Sequence, residues 1–224
     1  MKLIKSEEEL REVLNKRGIT EYVILEGKGT YTILAKNGKS KVLKFLKPYT
    51  KEEALEDFKY LIPSRLYSNL RKVINNPIQT KALKAVRYFL KKRMKFLILA
   101  GSVGSGKTMA VLMASLQLYR YHKVKYPLFV SVPSLLFEKE RILKEYASCD
   151  CLILDDFNKI NDWAKEVALE LFLDAYNKNR YAFITTNLSG EELRKYFDQH
   201  IRSRVEEQGM VVEIKDRDYR VETL

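Results

Sequence analysis

Apolar and polar residues follow a helical rhythm in some parts of the chain and form continuous apolar runs in others. In residues 79–94, Leu83, Val86, Leu90 and Met94 recur at helical spacing, which predicts an amphipathic helix. After this helix, short apolar runs alternate with helical stretches. The predicted strands are residues 95–101, 127–132, 151–156, 181–186 and 210–214. Continuous apolar runs are typical of parallel strands buried on both faces, so we predict an α/β fold with three layers.

The first 48 residues carry a different pattern. Ser6 followed by Glu9 predicts the capped start of a helix over residues 6–17. Residues 22–46 contain three apolar runs separated by glycine-containing turn sequences, the second of them Asn37-Gly38, which predicts a three-stranded meander. A helix and a meander make a small α+β module.

We therefore predict three parts. Residues 1–48 form the helix-plus-meander module, a candidate surface for binding a partner. Residues 49–80 form a linker, and residues 81–224 form the core with the parallel sheet.

Composition excludes several classes of protein. Apolar residues make up 46% of the 224 residues, which is enough for a packed core and excludes a wholly disordered chain. No apolar run approaches the roughly 18 residues of a membrane span, and we see no signal peptide. The two cysteines exclude a disulfide scaffold and a four-cysteine zinc site. We expect a cytoplasmic protein without a membrane partner.

The net charge of +12 is concentrated in one segment. Residues 61–100 contain ten basic and no acidic residues, a local charge of +10. Such an excess attracts phosphate groups, either of a bound nucleotide or of a nucleic acid. The alternative is a solvated basic face without a partner.

A glycine-rich segment follows the first predicted strand of the core and precedes a helix. Its residues match the pattern G-x-x-x-x-G-K-[ST]: Gly101, Ser102, Val103, Gly104, Ser105, Gly106, Lys107 and Thr108. The glycines let backbone N–H groups surround a phosphate, and the following helix N-terminus adds donors and a positive dipole end. We expect Lys107 to contact the β- and γ-phosphates of a nucleotide and Thr108 to hold Mg²⁺.

A later apolar strand ends in two carboxylates, Asp155 and Asp156. In phosphate-loop enzymes the strand that carries the metal-binding acid ends beside the loop. We expect Asp155 to hold Mg²⁺ and Asp156 to orient or deprotonate an attacking water. Aspartate at the second position is one methylene shorter than glutamate, which predicts slow hydrolysis. The alternative is a pair of turn residues.

Two further candidates follow. Asn187 comes after another buried strand, where it can contact the γ-phosphate or the attacking water, or alternatively cap the helix from about residue 189. Arg204 is a candidate arginine finger, a guanidinium that stabilises transition-state charge on a neighbouring subunit's nucleotide. Solvated or dipole-paired arginines, including Arg202, are the alternative.

Taken in order, these motifs resemble those of the AAA+ helicase loaders of the DnaC and DnaI type, and of the related transposition ATPase IstB. The resemblance covers roughly residues 61–221. It is carried by five segments: GSVGSGKT, CLILDDFN, FITTNLSGEEL, IRSRVEE and the final Asp218-Tyr219-Arg220. It implies a phosphate-loop fold of AAA+ type without a C-terminal lid. It also implies that Asn187 is the sensor residue and Arg204 the finger.

The resemblance further implies an ATPase that binds ATP and Mg²⁺, self-associates through the ATP site, binds single-stranded DNA and acts on a replicative helicase. A transposase is the alternative partner. Residues 1–48 depart from the helical or zinc-containing N-terminal domains common in the family, which leaves the partner open. A small-molecule kinase and a nucleotide-gated DNA-binding module without turnover are the competing functions.

Two segments are candidates for the DNA contact. One is the helix at 81–95, with its basic stripe. The other is Ser134–Tyr146, in which aromatic and basic residues are interleaved: Phe137, Lys139, Arg141 and Lys144. For Phe137 itself, a place in the core is the more common role.

Overall fold

The computed structural model of the protein describes residues 1–36, 40–158 and 161–219. The predicted Asn37-Gly38 turn and Arg220 lie outside these residues. The chain divides into two compact units. One comprises Met1–Phe58 with Leu116–Val124, and the other comprises Lys59–Ser115 with the chain from Lys125 onward. The predicted boundaries at residues 48 and 80 stay a prediction.

The first unit contains the predicted helix and meander. Its elements are α1 (Glu7–Asn15), β1 (Tyr22–Gly27), β2 (Thr30–Ala35), β3 (Lys41–Leu46) and α2 (Lys51–Phe58). Ser6 caps α1 by accepting the Glu9 N–H, and β1-β2-β3 is an antiparallel sheet in that order. One face of the sheet packs on Leu10 and Leu14 of α1. The helix and the meander are therefore confirmed.

The opposite face of this small sheet carries four exposed apolar side chains. Val23, Leu34 and Val42 lie in register across the three strands, and Leu25 lies beside them. Each of the four side chains is at least 40% exposed. Adjacent exposed apolar side chains of this kind are typical of interaction surfaces.

The second unit contains the parallel sheet. Its strands are β4 (Phe96–Gly101), β5 (Pro127–Ser131), β6 (Cys151–Asp155), β7 (Tyr181–Thr186) and β8 (Gly209–Ile214). All pairs are parallel, in the order β5-β6-β7-β4-β8. The central strands are buried along almost their whole length. The three-layer α/β prediction is confirmed.

Helices lie on both sides of this sheet. The helices that follow α2 in the chain are α3 (Ser64–Asn75), α4 (Lys81–Lys92), α5 (Lys107–Arg120), α6 (Leu135–Ser148), α7 (Asp162–Asn177), α8 (Gly190–Tyr196) and α9 (Gln199–Gln208). The last part of α5, from Leu116, belongs to the first unit. Helix α4 buries Val86 and Phe89 as the amphipathic pattern predicts. Among the described residues, no helix is both long and apolar enough to cross a membrane.

The strand order decides where the polar strand ends meet. β7 lies between β6 and β4, so the segments that follow these three strands emerge side by side at one edge of the sheet. Ligands of open α/β sheets bind at the carboxyl ends of the strands. The fold therefore brings together the phosphate loop after β4, the acidic pair of β6 and Asn187 after β7.

Candidate nucleotide site

The phosphate loop joins β4 directly to α5. Gly101, Gly104 and Gly106 all have positive φ, the backbone region that glycine adopts without steric cost. At Gly101, a Cβ atom would lie 2.2 Å from the carbonyl oxygen of Ile214 on the neighbouring strand, so only glycine fits. Ser105 is fully buried and its Oγ donates to the Ser102 carbonyl at 2.7 Å, whereas Val103 is half exposed.

The Lys107 side chain is buried within the loop that it belongs to. Its Nζ donates to the carbonyl oxygens of Gly101, at 2.8 Å, and Ser102, at 2.6 Å. It also donates to Asn187 Oδ1 at 3.0 Å. The predicted phosphate-contacting lysine and the predicted sensor residue are thus joined by a direct hydrogen bond, which the sequence motifs alone did not predict.

Asp155 lies beside the start of α5. Thr108 Oγ1 donates to Asp155 Oδ1 at 2.8 Å, and Thr185 Oγ1 donates to the same oxygen. Burial raises the pKa of the Asp155 carboxyl, while the two threonine hydroxyls and the Lys107 charge oppose that rise. A buried carboxylate next to a hydroxyl is a set of hard oxygen donors, the kind that Mg²⁺ prefers, so these residues fit the predicted metal.

Asp156 follows the strand in a left-handed backbone conformation, with φ of 60°. Such conformations in a residue other than glycine are uncommon and occur often at functional sites. Its backbone N–H donates to Thr185 Oγ1 at 3.2 Å, and the residue is exposed at the edge of the sheet. The neighbouring Phe157 turns into the core, so the turn separates the exposed carboxylate from the buried ring.

Asn158 connects Asp156 with Asn187. Its Nδ2 lies 3.5 Å from Asp156 Oδ1, the long end of the range for a hydrogen bond. Its Oδ1 accepts the backbone N–H of Asn187 at 2.7 Å. The carboxylate at the end of β6 and the amide after β7 therefore share one neighbour.

The alternative function of Asn187 as a helix cap is wrong. Ser189 is the N-cap of α8, and its side chain forms a reciprocal capping box with Glu192. The Asn187 side chain accepts from Lys107 instead. Asn187 therefore lies at the phosphate loop, as the sensor interpretation requires.

Arg204 does not lie with the residues around the phosphate loop. Its guanidinium lies 5.0 Å from the centre of the Tyr176 ring on α7, and the Tyr176 hydroxyl donates to Glu207 at 2.6 Å. Helix α9 leads into Gly209, which pairs with Phe96 at the amino end of β4. The phosphate loop follows the opposite end of β4, so the helix that carries Arg204 leads to the end of the strand remote from that loop.

The structure corrects one expectation about the Ser134–Tyr146 segment. Phe137 is 87% exposed and does not lie in the core, because it comes two residues after the buried Leu135 and so lies about 200° around the helix from it. Lys139 Nζ lies 5.0 Å from the centre of the Trp163 ring, which is itself 40% exposed. We call Phe137, Lys139 and Trp163 the aromatic surface.

Three polar residues of the site were missed by sequence reasoning. Thr185 contacts both carboxylate residues, Asn158 bridges Asp156 to Asn187, and Thr186 Oγ1 donates to the Phe157 carbonyl. The signal was present: hydroxyl residues at the end of an otherwise apolar strand, and an asparagine two positions after the acidic pair.

Comparison with known proteins supports the fold. No protein-family model and no curated protein sequence match this chain. The crystal structure of DnaI is similar over 70% of this chain and 93% of that chain, with 22% identity and a TM-score of 0.52. That of the DnaC helicase loader is similar over 68% and 89%, with 21% identity and a TM-score of 0.46.

A third solved structure, AMPPCP-bound DnaA from Aquifex aeolicus, is similar over 65% of this chain and 51% of that chain. Its identity is 19% and its TM-score 0.48. At these identities a likeness concerns the fold. The parallel sheet, the phosphate loop and the similarity to DnaI together show that this chain has a phosphate-loop α/β fold like that of DnaI.

Proposed function

We propose that this chain is an AAA+ ATPase that binds ATP with Mg²⁺, hydrolyses it slowly, binds single-stranded DNA and loads or regulates a replicative helicase. A helper ATPase for a transposase is the alternative. The observation that carries the nucleotide part is the hydrogen-bonded set Lys107–Asn187 and Thr108–Asp155–Thr185 at one edge of the sheet. The proposal that the partner is a replicative helicase rests on the motif resemblance alone.

Different residues of the site are proposed to bind the nucleotide and to hydrolyse it. Backbone N–H groups of the glycine-rich loop and the start of α5 bind the phosphates, and Lys107 exchanges its carbonyl partners for phosphate oxygens. Thr108 and Asp155 would hold Mg²⁺, which supplies positive charge against the phosphates. Asp156 accepts the proton of the attacking water, and Asn187 orients that water or the γ-phosphate. Asn158 fixes the spacing between these last two residues.

Asp156→Asn is expected to lower ATP turnover by about 10²–10⁴-fold, the usual contribution of a general base, while ATP affinity stays within about threefold. Asparagine tolerates the same left-handed backbone and is isosteric with aspartate, so the fold is kept. Phosphate release and titration with a fluorescent ATP analogue measure the two quantities.

The matched control for this variant is Asp162→Asn, which removes an exposed carboxylate at the start of α7 and is expected to keep normal turnover. Turnover of Asp156→Asn at the wild-type rate would show that another group accepts the proton. The same assay separates the competing functions. A kinase needs a phosphate acceptor for turnover, and a nucleotide-gated module shows none.

The proposed DNA contact combines charge with exposed aromatic rings. The aromatic surface offers a free ring at Phe137 and a cation–ring pair at Lys139 and Trp163. Such rings stack on bases of any sequence. Helix α4 adds Lys84, Arg87 and Lys91 on its exposed face. We propose the aromatic surface as the base contact and the stripe on α4 as a backbone contact.

Binding of single-stranded DNA is expected to weaken by orders of magnitude between about 50 and about 200 mM salt, and to be stronger with ATP than with ADP. Phe137→Ala is expected to weaken binding by about 5- to 150-fold, the loss of one stacked base, without changing the salt dependence. Replacing Lys84, Arg87 and Lys91 together by alanine is expected to flatten the salt dependence. Fluorescence anisotropy with a labelled oligonucleotide measures both.

Tyr60→Ala is the control, because Tyr60 is an 81% exposed aromatic side chain outside both surfaces. Equal losses in Phe137→Ala and Tyr60→Ala would remove the aromatic surface from the proposal. Unchanged DNA binding in the triple variant would show that the basic stripe on α4 is a solvated face without a DNA contact.

We propose residues 1–48 as the module that binds the protein partner. The exposed apolar face formed by Val23, Leu25, Leu34 and Val42 supports this proposal. Capture of the partner with residues 1–60 as bait tests it. Self-association through the ATP site, which we also propose, involves Arg204.

A further inference from the structure

The chain that follows β8 returns to the phosphate loop. We call residues Lys215–Tyr219 the C-terminal strap. The backbone N–H of Tyr219 donates to the Gly104 carbonyl at 3.1 Å, and Ser102 Oγ donates to the Asp216 carbonyl at 3.0 Å. The strap is therefore bonded to the loop at two points, on either side of Val103.

The contact between strap and loop is close. A Cβ atom on Gly104 would lie 1.8 Å from Asp218 Oδ1, so a side chain at this position would displace the Asp218 carboxylate from its present place beside the loop. Gly104 also has φ of 75°, in the left-handed region. The glycine at this variable position of the loop motif thus permits the turn and also leaves room for the Asp218 carboxylate of the strap.

Asp216 links the strap to a third element, the N-terminus of α4. Its Oδ2 accepts the backbone N–H of Lys81 at 3.1 Å and the hydroxyl of Tyr219 at 2.9 Å. Lys81 Nζ donates in turn to the Lys215 carbonyl. A carboxylate at a helix N-terminus satisfies an otherwise unpaired donor and interacts favourably with the helix dipole. Asp216 therefore fixes the strap both to α4 and to its own last residue.

We propose that the C-terminal strap is a positioning element for nucleotide binding, and that Asp216 is its central positioning residue. A glycine-rich loop is costly to order, because each backbone residue fixed loses roughly 1–2 kcal/mol of conformational entropy. The strap holds the outer arm of the loop, Ser102–Gly104, in its binding shape before the phosphates arrive. Such preorganisation raises affinity without adding a contact to the ligand.

The proposal rests on the proposed binding of ATP and adds a reciprocal consequence. If the strap favours ATP binding, then ATP must stabilise the strap by the same factor, since the two equilibria are linked. The amide of Tyr219 reports the strap directly, because its N–H is bonded to the loop carbonyl of Gly104.

The experiment compares ATP affinity and turnover of Asp216→Ala and Asp216→Asn with those of the wild type. Asp216→Ala is expected to weaken ATP binding, and to raise KM, by about tenfold with kcat at saturating ATP unchanged. Asp216→Asn retains a side-chain acceptor for the Lys81 N–H and is expected to recover most of the affinity. Glu213→Gln, which removes only an exposed ion pair with Lys215, is the matched control and is expected to bind normally.

Hydrogen exchange supplies the second measurement, on the full chain. Saturating ATP is expected to slow exchange of the Tyr219 amide in the wild type. Tyr219→Phe, which removes only one hydroxyl, is expected to weaken ATP binding by about threefold and keeps the test open if Asp216→Ala fails to fold. If Asp216→Ala binds ATP with wild-type affinity, the inference is overturned. Where that variant is unfolded, wild-type affinity in Tyr219→Phe overturns it. An exchange rate of the Tyr219 amide that does not change on adding ATP overturns it as well. A wild-type protein that binds no ATP overturns the proposed function itself.

Discussion

Lys107→Ala is expected to weaken ATP binding by about 10²-fold or more and to abolish hydrolysis. Each hydrogen bond from a charged donor contributes roughly 1.5–3 kcal/mol, and the ammonium group is proposed to contact two phosphates. The buried side chain already points at two loop carbonyls and Asn187, so it is ordered before the nucleotide arrives. Titration with a fluorescent ATP analogue measures the loss.

A second buried lysine provides the matched control. Lys165 on α7 is 3% exposed and donates to Asp162 and the Tyr196 hydroxyl, and it has no hydrogen bond to the phosphate loop among the contacts of the described residues. Lys165→Ala removes a comparable buried ammonium and is expected to lower the melting temperature while keeping ATP affinity. Equal ATP affinity in wild type and in folded Lys107→Ala would contradict the assignment of this loop as the nucleotide site.

Much of the fold and part of the site could be predicted from the sequence, because their signals are local. The continuous apolar runs predicted all five strands of the parallel sheet, since a strand buried on both faces needs apolar residues on both. Asp155 ends one strand, and Lys107 and Asn187 follow two others. In a parallel sheet all carboxyl ends of the strands lie at the same edge. The strand order then makes these three ends neighbours.

Features that depend on contacts between distant segments could not be predicted. The hydrogen bond of Lys107 to Asn187 joins residues 80 positions apart, and that of Lys81 to Asp216 joins residues 135 positions apart. Phe137 was expected in the core because an aromatic residue in an amphipathic helix is usually buried. Phe137 lies on a different face of α6 from the buried Leu135, Ile142 and Tyr146, and packing against the rest of the fold decides which face is buried.

Arg204→Ala is expected to lower ATP turnover by about 10³–10⁵-fold while leaving ATP binding intact, if the arginine acts on the nucleotide of a neighbouring subunit. Arg204 contacts Tyr176, and its helix leads to the end of β4 opposite the phosphate loop. The ring interaction holds the guanidinium in place before a neighbour arrives. A guanidinium offers paired donors to phosphate oxygens, a geometry that lysine does not provide.

Subunit mixing distinguishes action between subunits from action within one. Arg204→Ala keeps a complete nucleotide pocket without a finger, and Lys107→Ala keeps a finger beside an inactive pocket. Each variant alone is expected to be inactive, whereas the mixture is expected to recover part of the turnover, because intact pockets then meet intact fingers. Activity is expected to rise more steeply than linearly with protein concentration, and single-stranded DNA that aligns subunits is expected to increase it.

Arg202→Ala, on the same helix, is the control and is expected to retain turnover within about twofold. A mixture as inactive as its components, at concentrations where the wild type turns over, would contradict the shared site. Full activity of Arg204→Ala together with loss in Arg202→Ala would move the finger to Arg202.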